Sequence, residues 1–296
     1  MNLMKYRTLF FIISSIFLVP SLISLLFFGF KPSIDFAGGS LLEIQIISQA
    51  NDVVTPDELE NLLSQVYEVS QIQEKEQGRY VIEGADIEND TKILALEQLS
   101  VKYPTVSELR FESVGPTLSK ELLQKTITAV FLVAGIITLY VWKQFDEFKY
   151  GICAILAMFH DSLILLGAFS LLGYFYGIQV DVLFVTALLT TLSLSIHDTI
   201  VVYDRIRELR RKHKKITYYE LVNMAVTETL SRSINNSVTI ILMLATLALL
   251  GGDSIRWFAV ALLIGAITGT YSSTFTAAPL LLLWDDIALK RKQKSS

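Results

Sequence analysis

The chain has 296 residues, 52% of them hydrophobic and only 18% charged, with a mean hydropathy of +0.49. That balance excludes an ordinary water-soluble protein, in which about a quarter of residues carry charge. The net charge of −4 is unevenly spread: residues 31–119 hold 16 acidic and 6 basic residues, a balance of −10, which leaves +6 for the rest.

The first apolar block, Thr8–Phe30, follows Lys5 and Arg7. Its 23 uncharged residues exceed the apolar core of a secretory signal, and no A-x-A-like site follows, so residues 1–30 are expected to form a short cytoplasmic end and an uncleaved first span. Pro20 within it is tolerable, because neighbouring groups in a membrane bundle re-satisfy the freed carbonyl.

Residues 31–119 read as a compact α+β unit outside the membrane. Leu42-Glu43-Ile44-Gln45-Ile46 alternates as a half-buried strand. Thr55-Pro56-Asp57-Glu58 predicts a capped helix start, with Leu59, Leu62, Leu63 and Val66 on one face. Val69–Lys75 and Arg79–Glu83 alternate around Gln77-Gly78, predicting two strands and a tight turn. A second helix between Asn89 and Lys102 and a strand over Ser107–Val114 complete a β-α-β-β-α-β order, the ferredoxin-like arrangement. The segment has no His, no Cys and no glycine-rich phosphate loop, and its carboxylates are scattered as on a solvated surface, so it reads as a binding or spacer module.

Residues 120–285 hold five further apolar blocks, Thr126–Trp142, Tyr150–Tyr176, Val182–Tyr203, Ser233–Gly251 and Trp257–Trp284, each long enough to cross a bilayer. The expected fold class is therefore a six-helix membrane bundle with a small ferredoxin-like external domain. Basic residues gather near the N-terminus, at Lys143 and Lys149, in a loop over 204–231, and in the tail 286–296 with Lys290-Arg291-Lys292-Lys294. The connections Gly173–Val180 and Gly252–Arg256 are nearly free of charge. The positive-inside rule places both termini and the 204–231 loop in the cytoplasm, and the acidic domain outside. The loop's basic run suits the anionic leaflet of membrane lipids. The single cysteine, Cys153, lies within a span and excludes an intrachain disulfide.

Ionisable residues at bilayer depth carry the functional information, since an Asp at a span centre costs ~2.5–3.5 kcal/mol. His160-Asp161 falls near the middle of the third span, His197-Asp198 toward the cytoplasmic end of the fourth, and Arg232 at the start of the fifth. Topology puts Asp198 and Arg232 at similar depth. Burial favours a protonated carboxyl and a nearby guanidinium favours the ionised form, so a changing distance between the two would load and release a proton. A static ion pair, or polar contacts with Thr186, Thr190, Thr191, Ser193 and Ser195, is the alternative. His197 fits a relay or a packing role, and Asp161, with His160, a static polar contact or a further proton group. Gly265 and Gly269 form a G-x-x-x-G pattern suited to close helix packing.

No G-x-x-x-x-G-K-[ST], H-E-x-x-H or G-x-S-x-G occurs, so an enzyme is not expected and neither a cofactor nor a metal is implied. Nothing points to nucleic acid. An ion gradient, worth ~2.3 kcal/mol per charge per 100 mV, is the energy source open to such a chain.

Four motifs then carry a resemblance. Ser33-Ile34-Asp35-Phe36-Ala37-Gly38-Gly39 is similar to a G-I-D-F-x-G-G signature, and Ser113-Val114-Gly115-Pro116 to an S-V-G-P element. His197-Asp198-Thr199-Ile200-Val201-Val202-Tyr203-Asp204-Arg205-Ile206-Arg207-Glu208 is similar to N-D-T-[IV]-V-V-x-D-R-I-R-E, and Thr229-Leu230-Ser231-Arg232 to T-L-x-R. In these motifs the chain resembles, over essentially its whole length, the SecF family of the SecD–SecF protein-export complex, relatives of the proton-driven RND transporters. The resemblance implies SecD as partner beside the SecYEG channel. It also implies use of the proton gradient to pull preproteins outward after SecA has pushed them, with the family's essential Asp at Asp198 and its Arg at Arg232. The chain departs from the family at His197, where Asn or Asp is usual, and in Ser233-Ile234-Asn235-Asn236, where Thr, an apolar residue and Thr are commoner. A purely structural SecD-stabilising subunit and half of a small-molecule exporter are the competing readings.

Overall fold

The computed structural model describes residues 2–47, 54–75, 78–145 and 147–294, without the side chains of 292–294. Gln77 of the expected turn and the side chains of Lys292 and Lys294 lie outside the described residues. The chain divides into two compact units, one of residues 1–31 and 128–296, the other of residues 32–127.

Helix α1 (Arg7–Phe27) belongs to the larger unit, and the smaller unit opens on a short helix, α2 (Ile34–Ala37). Strand β1 (Gly39–Ile46), helix α3 (Pro56–Leu63), strands β2 (Val69–Lys75) and β3 (Arg79–Gly84), helix α4 (Asn89–Lys102) and strand β4 (Val106–Val114) follow. All strand pairs are antiparallel, in the order β2-β3-β1-β4. The period-2 pattern decides which face is covered: Leu42, Ile44 and Ile46 of β1 and Tyr80 and Ile82 of β3 share one core with Leu59 and Leu63 of α3 and Ala95 and Leu99 of α4. Each fully buried Leu or Ile among them contributes about 1.5–3 kcal/mol relative to leaving it exposed. Thr55 caps α3 by accepting the Glu58 N–H at 3.4 Å, with Pro56 at the first helical position.

The larger unit is helical. Among the described residues six segments are long and apolar enough to span a membrane: Leu3–Phe27, Pro116–Gln144, Phe148–Tyr176, Val182–Lys212, Tyr218–Leu250 and Asp253–Arg291. The second of these, α5 (Pro116–Gln144), begins in the smaller unit and ends in this one. Next come α6 (Phe148–Tyr176), α7 (Val182–Lys212) and α8 (Tyr218–Leu250).

Two expectations are corrected here. The 204–231 region is not a loop: α7 runs on to Lys212 and α8 starts at Tyr218, so only 213–217 connect them. Ion pairs one turn apart, such as Lys212 with Glu208 at 2.6 Å, support the α7 extension. A capping box starts α8, in which Thr217 and Glu220 each accept the other's backbone N–H. The last span is likewise not one regular helix, but α9 (Asp253–Ser272), a π-helical turn at Ser273–Ala277, and α10 (Ala278–Lys294).

Helix contacts in this unit are made by small and polar groups. Helix α1 lies on α6, where Ser24 donates to Ser170 at 2.7 Å and Gly167 leaves no room for a Cβ against Ser21. Helix α9 packs on α7 and α8. A Cβ on Gly265 would overlap Thr191 Cγ2, and one on Gly269 would meet Ser195 Cα at 3.4 Å, so both glycines of the G-x-x-x-G pattern face α7.

Candidate functional site

Asp198 lies on α7, half-buried, at a cavity of about 30 Å³ lined by α7, α8 and α9. Gly265 and Gly269, which let the α9 backbone come close to α7, form part of its wall. Besides Asp198 the polar lining is His197, Asn236, Ser237 and Thr270, the last donating to Ser237 at 2.7 Å. A volume of this size with several polar walls is enough for a water molecule. His197 and Asn236, two positions where the chain departs from the family pattern, thus line the same cavity as Asp198. Ser237 and Thr270 were not singled out from the sequence, since hydroxyls are common within spans and only the fold selects these two.

Arg232 is exposed on α8 and lines a different recess, with Asp204, Arg205, Glu208, Glu228 and Thr229. Among the described residues no ion pair joins it to Asp198, although the two charges are within electrostatic reach of each other. Arg205 is the organiser of that recess. It binds Glu228 of α8 through Nε at 2.7 Å and also pairs with Glu208 on its own helix, tying α7 to α8 beyond the apolar segment. Asp204 pairs with Arg207 at 3.4 Å.

Asp161 and His160 sit on α6 and are both buried. His160 Nδ1 is 2.9 Å from Asp161 Oδ1, and Ser272 of α9 donates to Asp161 Oδ2 at 2.5 Å. The Ser272 partner is 111 positions away in sequence, so spacing could not reveal it.

The motif residues of the smaller unit have a structural explanation. Gly38 and Gly39 hold φ of 78° and 120°, and a Cβ on Gly39 would lie 2.5 Å from the Gly84 carbonyl oxygen. Ser33 caps α2 by accepting the Asp35 N–H at 3.3 Å. Gly115 leaves 3.3 Å between a would-be Cβ and Asp86 Oδ2, and Pro116 opens α5.

Six apolar helices with one antiparallel four-stranded sheet inserted after the first define a polytopic membrane protein carrying a single small sheet domain. The chain matches the family described as protein export membrane protein SecD/SecF, C-terminal, over residues 95–286, and the SecD/SecF GG motif over residues 23–46. It therefore belongs to the SecD/SecF protein-export family. It is 38% identical to a protein translocase subunit SecF of Anaerolinea thermophila, covering 96% of this chain and 94% of that one. A SecF subunit of Thermobaculum terrenum is also 38% identical, with the same coverage. The crystal structure of SecDF from Thermus thermophilus, described as a translocon-associated membrane protein, superposes with a TM-score of 0.83 at 30% identity, covering 97% of this chain and 39% of the longer one.

Proposed function

We propose that this chain is the SecF-type component of a Sec translocation accessory complex. It acts with a SecD-type partner beside SecYEG and uses the proton gradient to promote the late, SecA-independent part of preprotein export. The accessory role in translocation rests on family membership, and the SecD-type partner on relatives in which both parts form one chain, such as SecDF of Bacillus subtilis, 34% identical over 96% of this chain and 38% of that one.

Proton coupling rests on one observation: Asp198, within an apolar spanning helix, lines a water-sized cavity with polar walls and, among the described residues, closes no ion pair. An ionisable group so placed is costly to keep and is retained for work. Arg232, tethered one turn beyond Glu228, is positioned to approach or leave Asp198 if α7 and α8 shift, which would change the carboxylate's hold on its proton. In this reading both termini and the basic ends of α7 and α8 are cytoplasmic, in the inner membrane. The sheet unit, with its β-α-β-β-α-β order, is a ferredoxin-like external domain that meets the emerging chain or the SecD-type partner.

The test is completion of export in proteoliposomes holding the assembled complex. Asp198→Asn should reduce the rate with an imposed gradient to the rate without one. Undiminished stimulation in a normally assembled Asp198→Asn complex would leave a purely structural role.

A further inference from the structure

We propose that His160 and Asp161 form a second, deeper proton-binding site, linked to the Asp198 cavity through Ser272 and helix α9. Both side chains are more than nine-tenths buried, His160 at 7% and Asp161 at 3% exposure. Asp161 lies 11 residues in from Tyr150, whereas Asp198 lies 5 residues in from Tyr203. At 1.5 Å per residue the pair is about 9 Å deeper in its span.

The carboxylate is fully engaged, by His160 Nδ1 on Oδ1 and by the Ser272 hydroxyl on Oδ2. The far nitrogen of the ring is not: His160 Nε2 is buried and has no hydrogen-bond partner among the described residues. An apolar packing histidine would not need that geometry, and leaving such an atom unpaired is costly. With the ring neutral and donating through Nδ1, the pair carries −1 and Nε2 is a bare acceptor. One proton from water on Nε2 gives an imidazolium–carboxylate of zero charge. Passing the Nδ1 hydrogen to Asp161 gives the neutral acid beside a neutral ring with the same net charge. In both arrangements Nε2 has gained a hydrogen, and the added proton belongs to the hydrogen-bonded pair.

Among the described residues, charged groups on the elements packed around α6 are paired elsewhere: Arg256 of α9 with Asp253 at 3.2 Å and Arg205 of α7 with Glu228 of α8 at 2.7 Å. Arg7 of α1 pairs with Asp286 of α10 at 2.8 Å, and Asp285 of α10 with Lys149 at 3.7 Å. Tyr203 of α7 donates to the Ala277 carbonyl and Tyr271 of α9 to that of Phe10. His197 and Asp198 of α7 line their own cavity. On α6 itself Cys153 is buried two turns earlier.

The link between the sites is α9. Gly269 and Thr270 wall the Asp198 cavity, Ser272 holds Asp161, and the π-helical turn begins at the next residue. Such turns carry an extra residue that lets a helix shift register locally, and they concentrate at functional sites. A change of charge on Asp161, which accepts from Ser272, would thus act on α9 one turn from Gly269 in the wall of the Asp198 cavity. The site uses neither Asp198 nor Arg232, so a negative result here leaves their role standing.

The chain has only three histidines, which makes the test direct. The full chain, labelled with ¹⁵N-histidine and assembled with its SecD-type partner in liposomes, is followed by solid-state NMR over a series of pH values. The His160 signals are those displaced by Asp161→Asn. Nε2 should pass from a bare to a hydrogen-bearing nitrogen on acidification, and Ser272→Ala, which removes the hydrogen bond to Oδ2, should displace that transition. A His160 Nε2 that keeps one form throughout in the unmutated complex would overturn the proposal, whatever the variants do.

Discussion

Both units have apolar cores, but the helical one buries polar groups among its apolar residues and turns large apolar side chains outward. In the sheet unit the interior is Leu42, Ile44, Leu59, Leu63, Ile82 and Leu99, and the carboxylates stay outside. In the helical unit Ser14, Ser24, Ser170, Thr191, His160, Asp161 and Ser272 are buried while Phe131, Leu139, Leu242 and Leu249 point outward. Water drives the first arrangement, because apolar burial is its main stabilising term. Lipid removes that term between helices and leaves close packing and interhelical hydrogen bonds to hold the bundle. Chemistry follows the difference: the smaller unit offers shape and surface, and the larger one keeps His160 and Asp161 buried and Asp198 half-buried among its helices.

The contrast can be broken by mutation, most strongly in the sheet unit. Leu63→Ala should destabilise it by about 2–5 kcal/mol, seen as faster hydrogen exchange of the strand amides in the intact chain. The same truncation at outward-facing Leu249, 77% exposed, should fall within about 0.5 kcal/mol. Gly265→Leu should be next in size, about 1–3 kcal/mol by thermal denaturation in detergent, since its side chain must displace Thr191.

Ser24→Ala, which removes the buried bond to Ser170, should cost about 0.6 kcal/mol by the same measurement. Tyr67→Phe should be the mildest. Its hydroxyl is buried without a partner among the described residues, so its loss should leave stability unchanged or raise it. Burial also pushes the Tyr67 phenol from 10.0 up to about 12. The folded unit therefore holds that proton longer than the unfolded chain, keeping the associated stability below pH 10 and losing it as pH rises toward 12. Tyr67→Phe should flatten that alkaline decline, read by circular dichroism of the sheet.

Much of this was legible in the residues. Six spans follow from length and charge, and the strand and helix order of the sheet unit from period and the Thr55-Pro56 cap. The α8 start was legible too: Thr217-Tyr218-Tyr219-Glu220 has capping-box spacing, and basic residues masked it by suggesting a solvated loop. Other features depend on contacts far apart in sequence. Nothing local shows that Ser272 meets Asp161, that Thr270 and Ser237 close the Asp198 cavity, or that a π turn interrupts the last span. The placement of Arg232 in the Arg205–Glu228 recess is of the same kind, because the helices' rotation decides it and topology fixes only depth.

The central claim is that Asp198 exchanges protons across its cavity, and proton flux tests it most directly. Liposomes containing the assembled complex and an interior pH dye, challenged with an imposed gradient and a translocating preprotein, should acidify with the native chain, more slowly with Asp198→Glu, and no faster than empty liposomes with Asp198→Asn. Equal flux through the native and Asp198→Asn complexes would contradict the account.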